Sequence, residues 1–219
     1  MAGLWKHFQD GGWGMYPIVV VSIFVFGIGI ERAIYLFGSN INKEVFLATM
    51  QKCILAGDVG KAVKLCSAAN APLARIVQAG LLKVNRPDEE VQASMDEAAL
   101  REVPKIAKRT GYLALLANLS MLFGLLGTVS GLITSFGAVS GESVDPSQKA
   151  RILAEGISEA MNCTAGGLIV ALIALIFFAV LNGKTQSLED DINEASVHVL
   201  NLVVTNRQKV NMGSIPAAA

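Results

Sequence analysis

Three stretches of this chain, 16–37, 112–139 and 160–181, are predominantly apolar. Each is long enough for the ~20 residues that a helix needs to cross a hydrocarbon core. Backbone polar groups find no water in lipid, so each stretch has to close its hydrogen bonds internally as a helix. The expectation is an all-α membrane protein with three transmembrane helices. Composition agrees: 53% of the residues are hydrophobic and 16% charged, where a soluble domain carries roughly 25% charged residues. Eighteen basic residues balance eighteen acidic ones, which offers nothing to a nucleic-acid partner. The first stretch outruns a signal-peptide core of ~7–15 residues and lacks a small-x-small cleavage site, so it reads as a retained helix. Glu31 and Arg32 end it, with Arg32 expected to snorkel into the headgroups.

Orientation follows from the basic residues. Arg32, Lys43 and Lys52 follow the first span, Arg101, Lys105, Lys108 and Arg109 precede the second, and Lys184 follows the third. The opposite side has only Lys6, Lys149 and Arg151. The positive-inside rule then makes 1–15 an outer segment, 38–111 an inner helical region, 140–159 an outer loop with the start of the third helix, and 182–219 an inner extension and tail. In a bacterium this is a multi-pass protein of the cytoplasmic membrane with a periplasmic N-terminus and a cytoplasmic C-terminus.

Punctuation divides the inner region. Asn40 or Asn42 can cap a helix to about Leu55, Gly57-Asp58 opens another through Cys66, and Ala71-Pro72 begins a third that ends before Arg86-Pro87. Asp88, Glu89 and Glu90 put negative charge in the first turn of the next helix. Nothing but Pro104 interrupts the pattern from Asp88 to Val139, so one long helix with a kink at Pro104 is expected. After the third span, Leu188, Ile192, Ala195, Val199, Leu202 and Val203 keep an apolar stripe that would pack on the 88–110 helix. The tail 211–219 reads as disordered.

Spans two and three carry small and polar residues where a lipid-facing helix carries Leu and Ile. At about 100° per residue, Ser120, Gly124, Gly127, Thr128, Gly131 and Ser135 share one side of the second. Gly156, Glu159, Asn162, Cys163, Gly166 and Ala174 share one side of the third, with Gly167 and Thr164 nearby. Small residues allow close helix approach, and polar groups in a bilayer must face protein or water. Gly124, Gly127, Gly131, Gly166 and Gly167 are therefore the expected packing positions. Thr128, Glu159, Thr164, Asn162, Ser120 and Ser135 are the expected lining of a wet path. Glu159 is either a carboxylate solvated at a helix end or one that attracts cations in a pore. Thr128 and Thr164 either bond their own helix or line the path.

Other chemistry is missing. Cys53, Cys66 and Cys163 have no metal-binding spacing, and His7 and His198 lie far apart. No nucleophile–histidine pair or phosphate loop is present, so neither an enzyme nor a cofactor or metal site is expected. Spans one and two contain no acid or base apart from Glu31 and Arg32. Hydroxyls hold water but do not take up and release protons at neutral pH. If protons cross near Thr128, the carboxylate has to come from another polypeptide.

Gly124-Leu-Leu-Gly-Thr128-Val-Ser-Gly131-Leu, followed by Gly156-Ile-Ser-Glu159-Ala-Met-Asn-Cys-Thr164-Ala-Gly-Gly167-Leu, resembles the paired signature of the MotA/TolQ/ExbB proton-channel proteins. The opening Gly11-Gly-Trp-Gly-Met-Tyr16-Pro17-Ile, the Glu31-Arg-Ala-Ile-Tyr-Leu end of span one and Glu97-Ala-Ala-Leu-Arg101-Glu-Val-Pro104 extend the likeness over about 11–185. Three helices fit the ExbB/TolQ branch better than the four-helix MotA. The resemblance implies a homopentamer whose second and third helices line a pore, threaded by single-span ExbD/TolR-like subunits that each supply an aspartate. It also implies work on the envelope through a TonB- or TolA-like protein, or in gliding motility. By position, Thr128 and Thr164 match the family's pore threonines and Glu159 its pore glutamate. Relatives often have proline where Ile173 stands, so span three should be straighter here. The competing readings are a non-conducting membrane scaffold for a partner complex and a solute channel made by this chain alone.

Overall fold

A computed structural model describes residues 11–39, 41–69, 71–140 and 145–206. Asn40, residues 141–144 of the 140–148 loop and the 211–219 tail lie outside the described residues, as does the segment before Gly11. Seven helices carry the described chain: α1 Met15–Gly38, α2 Lys43–Leu55, α3 Val59–Ala68, α4 Pro72–Leu82, α5 Asp88–Ala107, α6 Thr110–Val139 and α7 Pro146–Thr205. No strand occurs among the described residues. Three helical stretches are long and apolar enough to cross a membrane. α7 is unbroken for 60 residues and passes Ile173 without interruption.

The chain divides into two compact units. The first joins the described residues up to Arg32 with Arg109–Leu181. Its α6 and α7 meet backbone to backbone: a methyl group added at Gly124 would lie 3.3 Å from the Cα atoms of Gly167 and Thr164, and one at Gly131 would lie 3.4 Å from Ala160 Cβ. α1 packs on the same helices through Met15, Ile18 and Cys163, with Phe123 and Val170 beside them. Further along, Phe26 meets Phe177 edge to face at 6.0 Å between ring centroids. Gly29 leaves room for the Phe177 ring.

The second unit comprises Ala33–Lys108 and the chain from Asn182. Asn42 and Asp58 cap α2 and α3 by accepting from the Val45 and Lys61 amides at 3.3 and 2.9 Å. Gly57 turns the chain between these helices at φ 74°, and Pro72 opens α4 where its missing N–H costs nothing. Met50, Ile54, Val59, Ile76, Val77, Leu81, Val91 and Met95 are buried together with the α7 stripe Leu188, Ile192, Ala195, Val199 and Val203. Leu188 and Ile192 line a small cavity with Ile106, Pro72 and Leu73. Lys43 holds the same helix by reaching Asp191 and Glu194, both at 2.8 Å. These two carboxylates raise its ammonium above the ordinary lysine range.

Two expectations need correction. The stretch from Asp88 to Val139 is not one helix. α5 passes through Pro104 and ends at Ala107, and Arg109 then adopts a left-handed conformation at φ 67° before α6 starts. One missing N–H at Pro104 is too little to stop the helix, whereas a left-handed residue ends it outright. The break lets Arg109 donate from Nη1 to Glu31 Oε1 at 2.6 Å. Arg32, expected among headgroups, is 4% exposed and therefore buried in protein. Glu31 is the neighbour that reaches outward to an ion pair instead.

Candidate functional site

α6 contains no Asp, Glu, Lys, Arg or His, and neither does α7 from Ala160 to Gly183. Charged chemistry at these spans is left to Glu159 at the edge of the third; within them the polar groups are hydroxyls, carbonyls, the Asn118 and Asn162 amides and the Cys163 thiol. Thr128 donates to the Gly124 carbonyl at 3.0 Å, within its own helix. Thr164 reaches the same carbonyl from α7 at 3.2 Å, and the two hydroxyl oxygens touch each other. Gly124 makes this possible, because a side chain there would meet the α7 backbone.

Three oxygens in this cluster share two hydroxyl protons. When both hydroxyls point at the carbonyl, no proton lies between them. When one turns to the other, the carbonyl loses that bond. Each hydroxyl also has lone pairs to spare, so the cluster can accept from a further donor and hand the donor role from one hydroxyl to the other. It cannot hold a charge.

The other residues expected with these threonines go elsewhere. Ser120 is fully buried against α7, where a methyl group on Gly167 would come within 2.6 Å of its carbonyl oxygen. Its hydroxyl has no hydrogen-bond partner among the described residues. Ser135 is buried opposite Gly156 and donates to the Gly131 carbonyl at 2.8 Å. Both serines are thus enclosed between the helices rather than on an open face. Asn162 and Gly166 are half-buried, and Met15 covers Gly166.

Glu159 stands apart from the hydroxyl cluster. Five residues separate it from Thr164, which puts the two about 140° apart around α7. Its carboxylate lies on Gly12, at a point where a methyl group on that glycine would fall. Cys163 lies one turn further along α7, against Gly14 and Gly127. α6 therefore turns Gly127 toward the start of α1 and Thr128 toward the opposite edge. Gly12, Gly14 and Met15 were not singled out as site residues from the sequence. The signal was available: three glycines among residues 11–14 immediately precede an apolar span.

Asn118 was also passed over. It is exposed on α6 between Leu115 and Leu122, both exposed as well. An amide at that depth is costly against lipid, so this face asks for protein or water.

Residues 68–194 match the model of the MotA/TolQ/ExbB proton channel family. An ExbB-like biopolymer transport protein of Synechocystis is 29% identical over 184 residues, covering 81% of this chain and 70% of the relative. The biopolymer transport protein ExbB of Pseudomonas putida is 24% identical, covering 94% of this chain and 67% of the relative. The Tol-Pal system protein TolQ of Haemophilus influenzae is 35% identical across 45% of this chain and 42% of its own length. The family match takes in α6 and the greater part of α7, including the hydroxyl cluster and Glu159. The chain is a multi-pass inner-membrane protein and belongs to the MotA/TolQ/ExbB proton channel family.

Proposed function

We propose that this chain is the channel-forming subunit of a proton-driven motor in a bacterial inner membrane. Five copies surround a single-span partner of the ExbD/TolR type, with the N-terminus in the periplasm and the helical regions around α2–α5 and the end of α7 in the cytoplasm. The observation that carries this reading is the Thr128–Thr164 pair over the Gly124 carbonyl, in spans that hold no Asp, Glu, Lys, Arg or His. A hydroxyl pair of this kind can steer and shuttle a proton but needs a carboxylate to load it. The partner's membrane aspartate supplies that group: protonated from the periplasmic side, it passes the hydroxyls as a neutral acid and releases its proton on the cytoplasmic side. Exposed Asn118 supports an assembly in which this face meets protein or water.

The work is done on the cell envelope through a TonB- or TolA-like protein, or in gliding motility. The test is reconstitution of the subunit with its co-purified partner in liposomes carrying a pH-sensitive dye. Under an imposed potential, the wild-type complex acidifies the lumen, and Thr128→Val and Glu159→Ala complexes of unchanged mass do not. Equal flux from all three would favour the non-conducting scaffold. A dimeric or tetrameric mass would remove the pentamer.

A further inference from the structure

The segment leading into α1 has no side chain where it meets α7. Gly12 adopts φ +60°, and a Cβ built on it would fall on the Glu159 carboxylate, 2.6 Å from its Cδ. Two residues on, a Cβ at Gly14 would lie 2.7 Å from Cys163 Sγ and 3.1 Å from Gly127 Cα. Met15 then lays its thioether over Gly166. Glu159, Cys163 and Gly166 follow one another along a single face of α7 at helical spacing. Gly12, Gly14 and Met15 cover that face position by position.

We infer that Gly12 and Gly14 are positioning residues for Glu159: they let the backbone of the outer segment close over α7 and fix where its carboxylate stands. Two independent features of Gly12 agree. Its backbone lies in the left-handed region that favours glycine, and its missing side chain is the space the carboxylate occupies. Neither would be required of a segment that merely leads into a span. The carboxylate is covered by this chain's own N-terminal segment, on the flank of α7 away from the threonine pair. A partner subunit that approaches Thr128 and Thr164 therefore meets Glu159 only through or around that cover. The inference rests on the proposed function only where it concerns flux.

The test is a double-mutant cycle on the intact, detergent-extracted complex, read by thermal unfolding. Gly12→Ala introduces both backbone strain and the collision with Glu159. In a Glu159→Ala background the strain persists and the collision is gone. The expected result is a clear fall in Tm for Gly12→Ala in wild type and a much smaller fall in Glu159→Ala. Equal falls in the two backgrounds would overturn the inference, because strain alone would then account for them. A second arm measures proton flux. Gly12→Ala lowers it, and adding Glu159→Asp, which withdraws the carboxylate by one methylene, restores part of it. Failure of the double variant to exceed Gly12→Ala would also count against positioning. Absence of flux from the wild-type complex would sink the channel reading instead, and leave the Tm cycle standing.

Discussion

Thr128 and Thr164, 36 residues apart in the chain, bring their hydroxyl oxygens into contact over the carbonyl of Gly124. Valine has the shape of threonine without its hydroxyl, so Thr128→Val removes a hydroxyl proton and its lone pairs while keeping the contact with α7. The Gly124 carbonyl still receives Thr164 and its own helix bond. Stability should change by no more than about 1 kcal/mol, the net worth of one such bond. Proton flux in liposomes should fall at least to the order of a tenth, whereas Thr128→Ser should retain most of it. A Thr128→Val complex with wild-type flux would remove the hydroxyl pair from the path.

Close approach of α6 and α7 can be tested without measuring transport. A methyl group on Gly167 meets the Ser120 carbonyl at 2.6 Å and the Gly124 Cα at 3.0 Å, both backbone atoms that cannot step aside. Gly167→Ala should destabilise by about 1–3 kcal/mol, the usual cost of overpacking. Gly183 lies in the same helix and has nothing within 4 Å of its added methyl. Gly183→Ala should instead stabilise by about 0.5–1 kcal/mol through helix propensity. Thermal unfolding of the two variants should move in opposite directions.

Much of the framework was legible because it rests on local rules. Apolar length marked α1, α6 and the apolar part of α7, and cap chemistry offered Asn40 or Asn42 for the start of α2, where Asn42 serves, and pointed to Asp58 and Pro72 for α3 and α4. The stripe from Leu188 to Val203 was visible as helical periodicity. What escaped was set by tertiary contact. A helical wheel grouped Ser120, Thr128 and Ser135 on one side but could not show that α7 closes over the two serines and leaves Thr128 at the edge. Glu159 likewise shared a side with Asn162 in sequence, yet it faces Gly12. A left-handed arginine has no sequence signature, so a continuous helix kinked at Pro104 was expected where Arg109 breaks the helix.

Cys66 is buried against Met50, with its Sγ 3.8 Å from the thioether sulfur. Burial, aided by nearby Cys53, pushes its thiol up to about 12. The nucleophile in alkylation is the thiolate, which is scarce at neutral pH in such a site. Iodoacetamide should leave Cys66 unmodified in the folded protein at pH 7.5 and label it fully once denaturant is added. Peptide mass mapping reads the difference. Rapid native labelling would mean that the α2–α3 pair opens readily.

Glu102 gives the second unit a pH dependence of known sign. Burial alone would raise its carboxyl, but Lys105 at 2.6 Å and Arg75 at 3.1 Å outweigh burial and hold it below the usual carboxylate range. A group depressed in the folded state stabilises above its unfolded pKa, and that contribution is lost as pH falls through the carboxylate range toward the folded value. Wild-type Tm should therefore decline on acidification from about pH 5 downward, with its reference near the ordinary glutamate value of about 4.3. Glu102→Gln should be less stable at neutral pH by about 1 kcal/mol, since both cations are half-exposed and well screened. The two proteins should converge as the medium becomes acid.

Arg109 combines a strained backbone with an ion pair, and substitution separates the two. Its left-handed conformation costs a side-chain-bearing residue about 1–2 kcal/mol relative to the right-handed one. Glycine removes that cost along with the bond to Glu31, while alanine loses the bond and keeps the strain. Arg109→Ala should thus be less stable than Arg109→Gly by about 1 kcal/mol. Glu31→Gln, which spares the backbone and removes only the pair, should cost about as much as Arg109→Ala, at most about 1 kcal/mol for half-exposed charges. Thermal unfolding of the three variants in one detergent ranks them directly. Should alanine match or exceed glycine at 109, the left-handed junction between α5 and α6 would not be a feature of the folded protein in solution.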